Sequence, residues 1–211
     1  MQIFRVPVGL MEVNCYFIWN RKDAVVLIDP GADAVRISRE LETNGLVPCA
    51  ILLTHGHFDH IGAVAELKEK YGLEVIIGAK DEEILADPEK NASGLIDVKT
   101  APFQAERLVN DGEIFTAGGV EFEAYHTPGH TQGSMTYRCG EVLFTGDTLF
   151  AGSVGRTDFY GGDFSALSAS LKRLAALRGD YRILPGHGPE TTLETERKIN
   201  PFLGADYDSL S

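Results

Sequence analysis

Short runs of branched and aromatic residues, separated by turn formers, open the chain. Residues 3–8 (IFRVPV), 14–19 (NCYFIW) and 24–29 (AVVLID) each read as a strand, divided by Gly9 and by the polar stretch 20–23. After Asp29-Pro30-Gly31 the period changes. Val35, Ile37, Leu41 and Leu46 fall on roughly one side of a helix that Gly45 should stop. Residues 50–54 (AILLT) form a strand with no polar alternation, as expected of one buried on both faces. A helix from about 61 to 71 closes at Gly72, VIIG at 75–78 gives another strand, and 79–89 (AKDEEILADPE) reads as a short exposed helix with a solvated acidic face.

Residues 87–104 show no period and read as an irregular connection. Strands then resume near 106–110, 113–117, 120–126, 134–139 and 141–146. Leu167, Leu171, Leu174 and Leu177 place one apolar stripe on a helix over 164–177. A last strand, YRILP, ends at Gly186-His187-Gly188, and 190–203 reads as a short helix and tail. Each half therefore runs from paired strands to helix–strand alternation, with a polar cluster at a strand end. Two sheets packed face to face with helices outside would bury such strands, which gives an α/β, four-layer αββα sandwich over a single domain, 1–211.

The 211 residues carry a formal charge of −12 and no basic block, so nucleic acid is not an expected partner. The amino terminus lacks the apolar core of a signal peptide and no apolar run reaches membrane-spanning length, so neither export nor membrane insertion is expected. Cys15, Cys49 and Cys139 are odd in number and form no CxxC pair, which suits buried free thiols in a cytoplasmic protein. Oligomeric state is not legible.

Half of the chain's six histidines fall in THGHFDH, residues 54–60, directly after an apolar strand. Imidazole nitrogens and carboxylate oxygens are what divalent transition metals accept. Neighbouring side chains point apart, so His55, His57, Asp59 and His60 divide more naturally between two ions than around one. The bland alternative is a solvated, histidine-rich turn. His130 in HTPGHTQGS, Asp147 in FTGDTLF and His187 in LPGHGP occupy further strand ends, each with glycine close by to let the backbone approach a ligand. His126, the sixth histidine, reads as structural or as support for a ligand, and Phe58 as a core anchor for the loop.

These motifs resemble the metallo-β-lactamase fold superfamily, whose HxHxDH pattern stands here as His55, His57, Asp59 and His60. His130, Asp147, His187 and Asp29 match its later and earlier motifs. The resemblance implies that His55, His57 and His130 hold one divalent ion, that Asp59, His60 and His187 hold a second, and that Asp147 bridges them. Asp59 would also orient the attacking water. Asp29 would orient a ligand, with a plain Asp-Pro-Gly turn as the alternative. Zinc is the first expectation for both ions; iron and manganese accept the same donors.

Several branches of the superfamily fit less well. The commonest zinc β-lactamases use a cysteine where this chain has Asp147, flavodiiron proteins replace the residue corresponding to His57 with glutamate, and RNA-processing members need an extra domain or basic surface. GDTLF and GRTDF, in 146–159, look most like glyoxalase II, the hydroxyacylglutathione hydrolases, and in particular the short bacterial type. The expected substrate is a small thioester such as S-lactoylglutathione, cleaved to lactate and glutathione. GRTDF also occurs in persulfide dioxygenase relatives, which use one iron; that oxidoreductase, and hydrolysis of another acyl or ester substrate, are the alternatives. Arg156 is the candidate to hold a substrate carboxylate, against an internal pair with Asp158, and Tyr160 is a candidate pocket wall, against plain packing at the rim. A purely structural metal module is disfavoured, because structural sites are closed four-ligand cages.

Overall fold

The computed structural model describes residues 1–96 and 100–203; part of the irregular connection expected at 87–104 lies outside them. One six-stranded sheet runs in the order β1 (Gln2–Val8), β2 (Val13–Trp19), β3 (Val25–Ile28), β4 (Pro48–Leu53), β5 (Glu74–Gly78) and β6 (Arg107–Val109). The second contains β7 (Ile114–Ala117), β8 (Val120–His126), β9 (Met135–Cys139), β10 (Val142–Gly146), β13 (Arg182–Pro185) and β14 (Thr191–Thr192), in the order β14-β13-β10-β9-β8-β7. A small ribbon of β11 (Leu149–Phe150) and β12 (Ser153–Val154), which the sequence pattern did not reveal, stands at one edge.

The period of two along each strand builds the layers. Val26 and Ile28 of β3, with Ala50 and Leu52 of β4, point inward to meet Phe122, Tyr137 and Phe144 of the opposing sheet. Their sequence neighbours Val25, Leu27, Ile51 and Leu53 point outward. There they pack against Ile37 and Leu41 of α1 (Ala34–Asn44) and against Val64 and Leu67 of α3 (Val64–Tyr71). On the far side Leu143 and Ile183 receive Leu167, Leu171 and Leu174 of α4 (Phe164–Ala175) and Leu193 of α5 (Leu193–Ile199). The result is helix, sheet, sheet, helix, as expected. Asp163 caps α4 by accepting from Ala166 N at 2.8 Å.

Some local expectations change. Val35 is 67% exposed, so the stripe of α1 rests on Ile37 and Leu41, while Leu46 is buried only after the chain has turned at Gly45. The helix expected from 61 to 71 starts earlier and is broken. A single turn, α2 (Phe58–Ile61), is followed by a step at Gly62-Ala63, where Ala63 N bonds to Pro30 O at 3.0 Å instead of to a helical carbonyl. Leu177 lies past the end of α4 and is partly buried against its core. The run expected to be a solvated helix is a 3-10 turn, Ala79–Ile84, and its Asp81 is fully buried. Phe58 is only partly buried and lines a cleft, so it does not anchor the loop in the core. Cys15 and Cys139 are buried free thiols, whereas Cys49 is half-buried.

The parallel pairs β3–β4 and β10–β13 direct their carboxyl ends to the same edge of the sandwich. There the two sheets are stitched directly: Met135 N bonds to Thr54 O at 2.8 Å and Asn14 N to Gly186 O at 2.8 Å. Tyr16 and Tyr137 hydroxyls reach across to Pro185 O and Leu53 O at 2.7 and 2.9 Å. Main-chain and tyrosine hydrogen bonds thus join the two sheets at this edge independently of the histidine cluster.

Candidate metal centre

Every motif histidine and aspartate arrives at that edge from the end of a strand. Asp29 follows β3, His55 and His57 follow β4, and Asp59 and His60 ride the first turn of α2. His130 lies between β8 and β9, Asp147 after β10 and His187 after β13. Their donor atoms gather into overlapping trios within 4.8 Å: His55, His57 and His130; His55, His60 and Asp147; Asp59, His60 and His187. Asp147 stands among them, with Oδ1 3.3 Å from His60 Nε2 and Oδ2 3.6 Å from both His130 Nε2 and His187 Nε2. His187 Nε2 is 3.3 Å from Asp59 Oδ2.

Lone pairs decide whether these residues suit a metal. His60 Nδ1 donates to Asp29 Oδ2 at 3.0 Å. His130 Nδ1 donates to Arg156 O at 2.8 Å, and His187 Nδ1 to Met11 O at 3.0 Å. Thr54 Oγ1 gives its proton to Asp29 Oδ2 at 2.7 Å and accepts from His55 Nδ1 at 3.1 Å. Four rings thus carry a proton on Nδ1 and turn Nε2 toward the cluster, the arrangement that outer partners impose on metal-binding histidines. His57 is the exception: its Nδ1 faces His130 Nε2 at 2.8 Å. Nε2 of His55, His57 and His60, and Oδ1 of Asp147, are buried without a hydrogen-bond partner among the described residues. Orphaned buried atoms of this kind are costly unless something meets them, and the all-nitrogen-and-oxygen donor set fits divalent transition metals.

Charge divides the five rings. Burial, reinforced by the other imidazoles, pushes His55 below the ordinary histidine range and His57 down to about 3, and burial lowers His130 against the opposing pull of Asp147 and the Arg156 carbonyl. Burial also opposes the charged form of His60, but Asp147, Asp59 and Asp29 outweigh it and raise this ring. His187 is raised by Asp59 and Asp147 against the same burial. Asp147 is itself held far below the usual carboxylate range by His60, His130 and His187, despite its burial.

A cleft of about 290 Å³ opens over the cluster, walled by Met11, Phe58, Leu95, Phe150 and Phe159. Phe159 meets the His57 ring edge-on at 5.7 Å. Arg156 lines the same cleft, yet it also makes the internal pair: Nε and Nη2 reach Asp158 at 2.6 and 2.7 Å, and its guanidinium lies 3.8 Å over Phe159. Tyr160 is not among the residues around this cleft; its hydroxyl donates to Glu83 at 3.2 Å. His126 takes no part in the cluster and bonds Gln132 O at 2.9 Å. A second cleft, of about 410 Å³, adjoins the first through Met11, Phe58 and Asp59 and has Val8, Leu10 and Ala32 on its walls. Sequence reasoning missed Thr54, the Met11 carbonyl and the aromatic walls. A backbone carbonyl leaves no mark in a sequence, and Phe150 and Phe159 look like any core aromatics.

Comparison with known proteins fits this geometry. A family model described as the metallo-beta-lactamase superfamily matches residues 8–187. A hydroxyacylglutathione hydrolase of Haemophilus influenzae is 39% identical, over 97% of this chain and 99% of that one. Among solved structures, the BLEG-1 B3 metallo-beta-lactamase has a TM-score of 0.92 at 38% identity, covering 97% of this chain and all (100%) of that one. A protein crystallised in a di-iron-bound form, TTHA1623, has a TM-score of 0.84 at 40% identity, covering 95% of this chain and 100% of its own. With its fold, its His/Asp cluster and a family match running from β1 to His187, this chain belongs to the metallo-beta-lactamase superfamily.

Proposed function

We propose that the protein is a binuclear metal-dependent hydrolase of glutathione-type thioesters, with S-lactoylglutathione as the leading substrate. The observation that carries the reading is the convergence of seven donors in overlapping trios, with His55, His57 and His130 at one end, Asp59, His60 and His187 at the other, and Asp147 within 3.6 Å of His60, His130 and His187. In this assignment His55, His57 and His130 would hold one ion and Asp59, His60 and His187 the other, with the Asp147 carboxylate available to both. Zinc is the first candidate, and the di-iron relative makes iron the second. Such ions, when bound, supply Lewis acidity and lower the pKa of water toward about 7.

The chain's own residues supply the rest. Asp29 and the Met11 and Arg156 carbonyls fix the tautomers of the ligating rings, so the site is organised before substrate arrives. Asp59, at the junction of the two clefts, accepts a hydrogen bond from the attacking water and aims it at the substrate carbonyl. Arg156 receives a carboxylate of the glutathione moiety. Its pair with Asp158 is exposed, and exposed pairs are worth at most about 1 kcal/mol, so a substrate anion competes for the guanidinium. Phe150, Phe159 and Met11 exclude bulk water around the carbonyl. Hydrolysis adds the elements of water across the C–S bond, giving the carboxylic acid and a thiol whose thiolate leaves without an acid catalyst.

The likeness to a B3 β-lactamase supports a second reading, hydrolysis of a lactam amide. The GRTDF resemblance keeps a third reading, sulfur oxidation at one iron. Zinc-loaded and iron-loaded protein should be offered S-lactoylglutathione, a β-lactam and glutathione persulfide in parallel. The proposal expects thiol release from the thioester without oxygen uptake, and a rise in KM larger than the fall in kcat for Arg156→Ala. Lactam opening alone, or oxygen uptake with the persulfide alone, would transfer the assignment to the corresponding reading.

A further inference from the structure

Asp81 is a carboxylate with 0% exposure that the metal chemistry does not use. Its Oδ2 accepts from Gly56 N at 3.0 Å and from Thr131 Oγ1 at 2.7 Å, and its Oδ1 accepts from Gly133 N at 2.7 Å. Gly56 sits between His55 and His57, and Thr131 follows His130. The loop after β4 and the loop after β8, which together carry one whole trio of donors, are therefore joined through one side chain. Thr131 is held in turn by Ser134, whose Oγ accepts from Thr131 N at 3.1 Å and lies 2.7 Å from its hydroxyl.

Packing supports the same relation. A Cβ on Gly56 would lie 2.6 Å from Ile84 Cγ1, and one on Gly133 would lie 2.3 Å from Asp81 N. The 3-10 turn 79–84 is wedged between the two loops, and both must be free of side chains where it enters. Among the described residues, Asp81 accepts no hydrogen bond from the segments holding Asp59, His60 or His187. Burial pushes its carboxyl up to about 6 in spite of three donors, so the group is kept at a desolvation cost for what it accepts.

We propose that Asp81 is a positioning residue for the metal held by His55, His57 and His130: it clamps the two loops of that trio and leaves the other trio alone. This rests on the two-ion reading above. A carboxylate is required because both oxygens face donors. An asparagine of the same shape must turn its NH2 toward either Gly133 N or the Gly56–Thr131 pair, where donor meets donor.

The test is a stepwise zinc titration against a competing chelator for wild type, Asp81→Asn, Thr131→Val and Thr131→Ser. Imidazole NMR assigns each step to its histidines, and thermal melting of the metal-free proteins reports the fold. Wild type should take up two ions; if it does not, the two-ion reading fails and not the clamp. In Asp81→Asn and Thr131→Val the ion seen by His55, His57 and His130 should weaken by about 10-fold or more, as outer partners of metal ligands typically do. The ion seen by His60 and His187 should hold, and Thr131→Ser should restore the first. Should Asp81→Asn fail to fold, the Thr131 pair decides alone. Equal weakening of both ions, or a lowered melting temperature with unchanged zinc affinity, would overturn the proposal.

Discussion

Asp29 ties two histidines of the cluster to one buried carboxylate, His60 directly and His55 through Thr54, and replacing it with asparagine is the sharpest perturbation of the site's organisation. Its oxygens accept from Thr54 N at 2.8 Å, Thr54 Oγ1 at 2.7 Å and His60 Nδ1 at 3.0 Å. Asparagine keeps the shape but turns one acceptor into a donor. If the remaining oxygen faces His60, the new NH2 confronts Thr54 N–H, and a buried unsatisfied donor costs about 1–3 kcal/mol. If the oxygen faces Thr54 N instead, the NH2 confronts His60 Nδ1 and drives that proton to Nε2, the ligand atom. Either orientation damages the site. Metal affinity should fall about 10- to 100-fold, equivalent to roughly 1.4–2.7 kcal/mol. Chelator competition on the purified variant measures this directly, with melting of the metal-free protein as the control for folding. Wild-type zinc affinity in a folded Asp29→Asn protein would refute the role given to Asp29 and, with it, the tautomer argument for His55 and His60.

Asp147→Ala should lower total bound metal and reduce turnover by orders of magnitude, since one carboxylate serves both trios; elemental analysis beside the activity assay checks it, and unchanged metal content would exclude the bridge. In the metal-free protein, imidazole NMR should find His60 and His187 titrating above the ordinary value of 6.5, and His55, His57 and His130 below it. The stability signs are opposite. As pH falls below about 6.5 the unfolded chain protonates His55, His57 and His130, which the fold keeps neutral, so these three destabilise the metal-free fold on acidification. His60 and His187 contribute stability at low pH that is lost as pH rises through their raised values.

Much of the site could be read from the sequence because its donors crowd together: His55, His57, Asp59 and His60 fill four of six consecutive positions, and the other donors sit beside glycines at the ends of apolar runs. The layers were legible for a similar reason, since residues such as Val25 and Val26 alternate between two cores along one strand. Asp81 was not legible. An acid-rich run is normally a solvated face, and only the tertiary approach of Gly56, Thr131 and Gly133 makes this one carboxylate an internal acceptor. The broken helix was hidden likewise, because the bond from Ala63 N to Pro30 O depends on where β3 ends in space. Arg156 illustrates a third kind of difficulty: lining the cleft and pairing with Asp158 are both true of it at once.

Activity against added metal tests the central claim most directly. Metal-free protein should be titrated with zinc while glutathione release from S-lactoylglutathione is followed, with bound zinc counted at each point. The two-trio assignment predicts that thiol release keeps climbing until two equivalents per chain are bound. Full activity at one equivalent, or zinc binding to both sites with no thiol release, would contradict it.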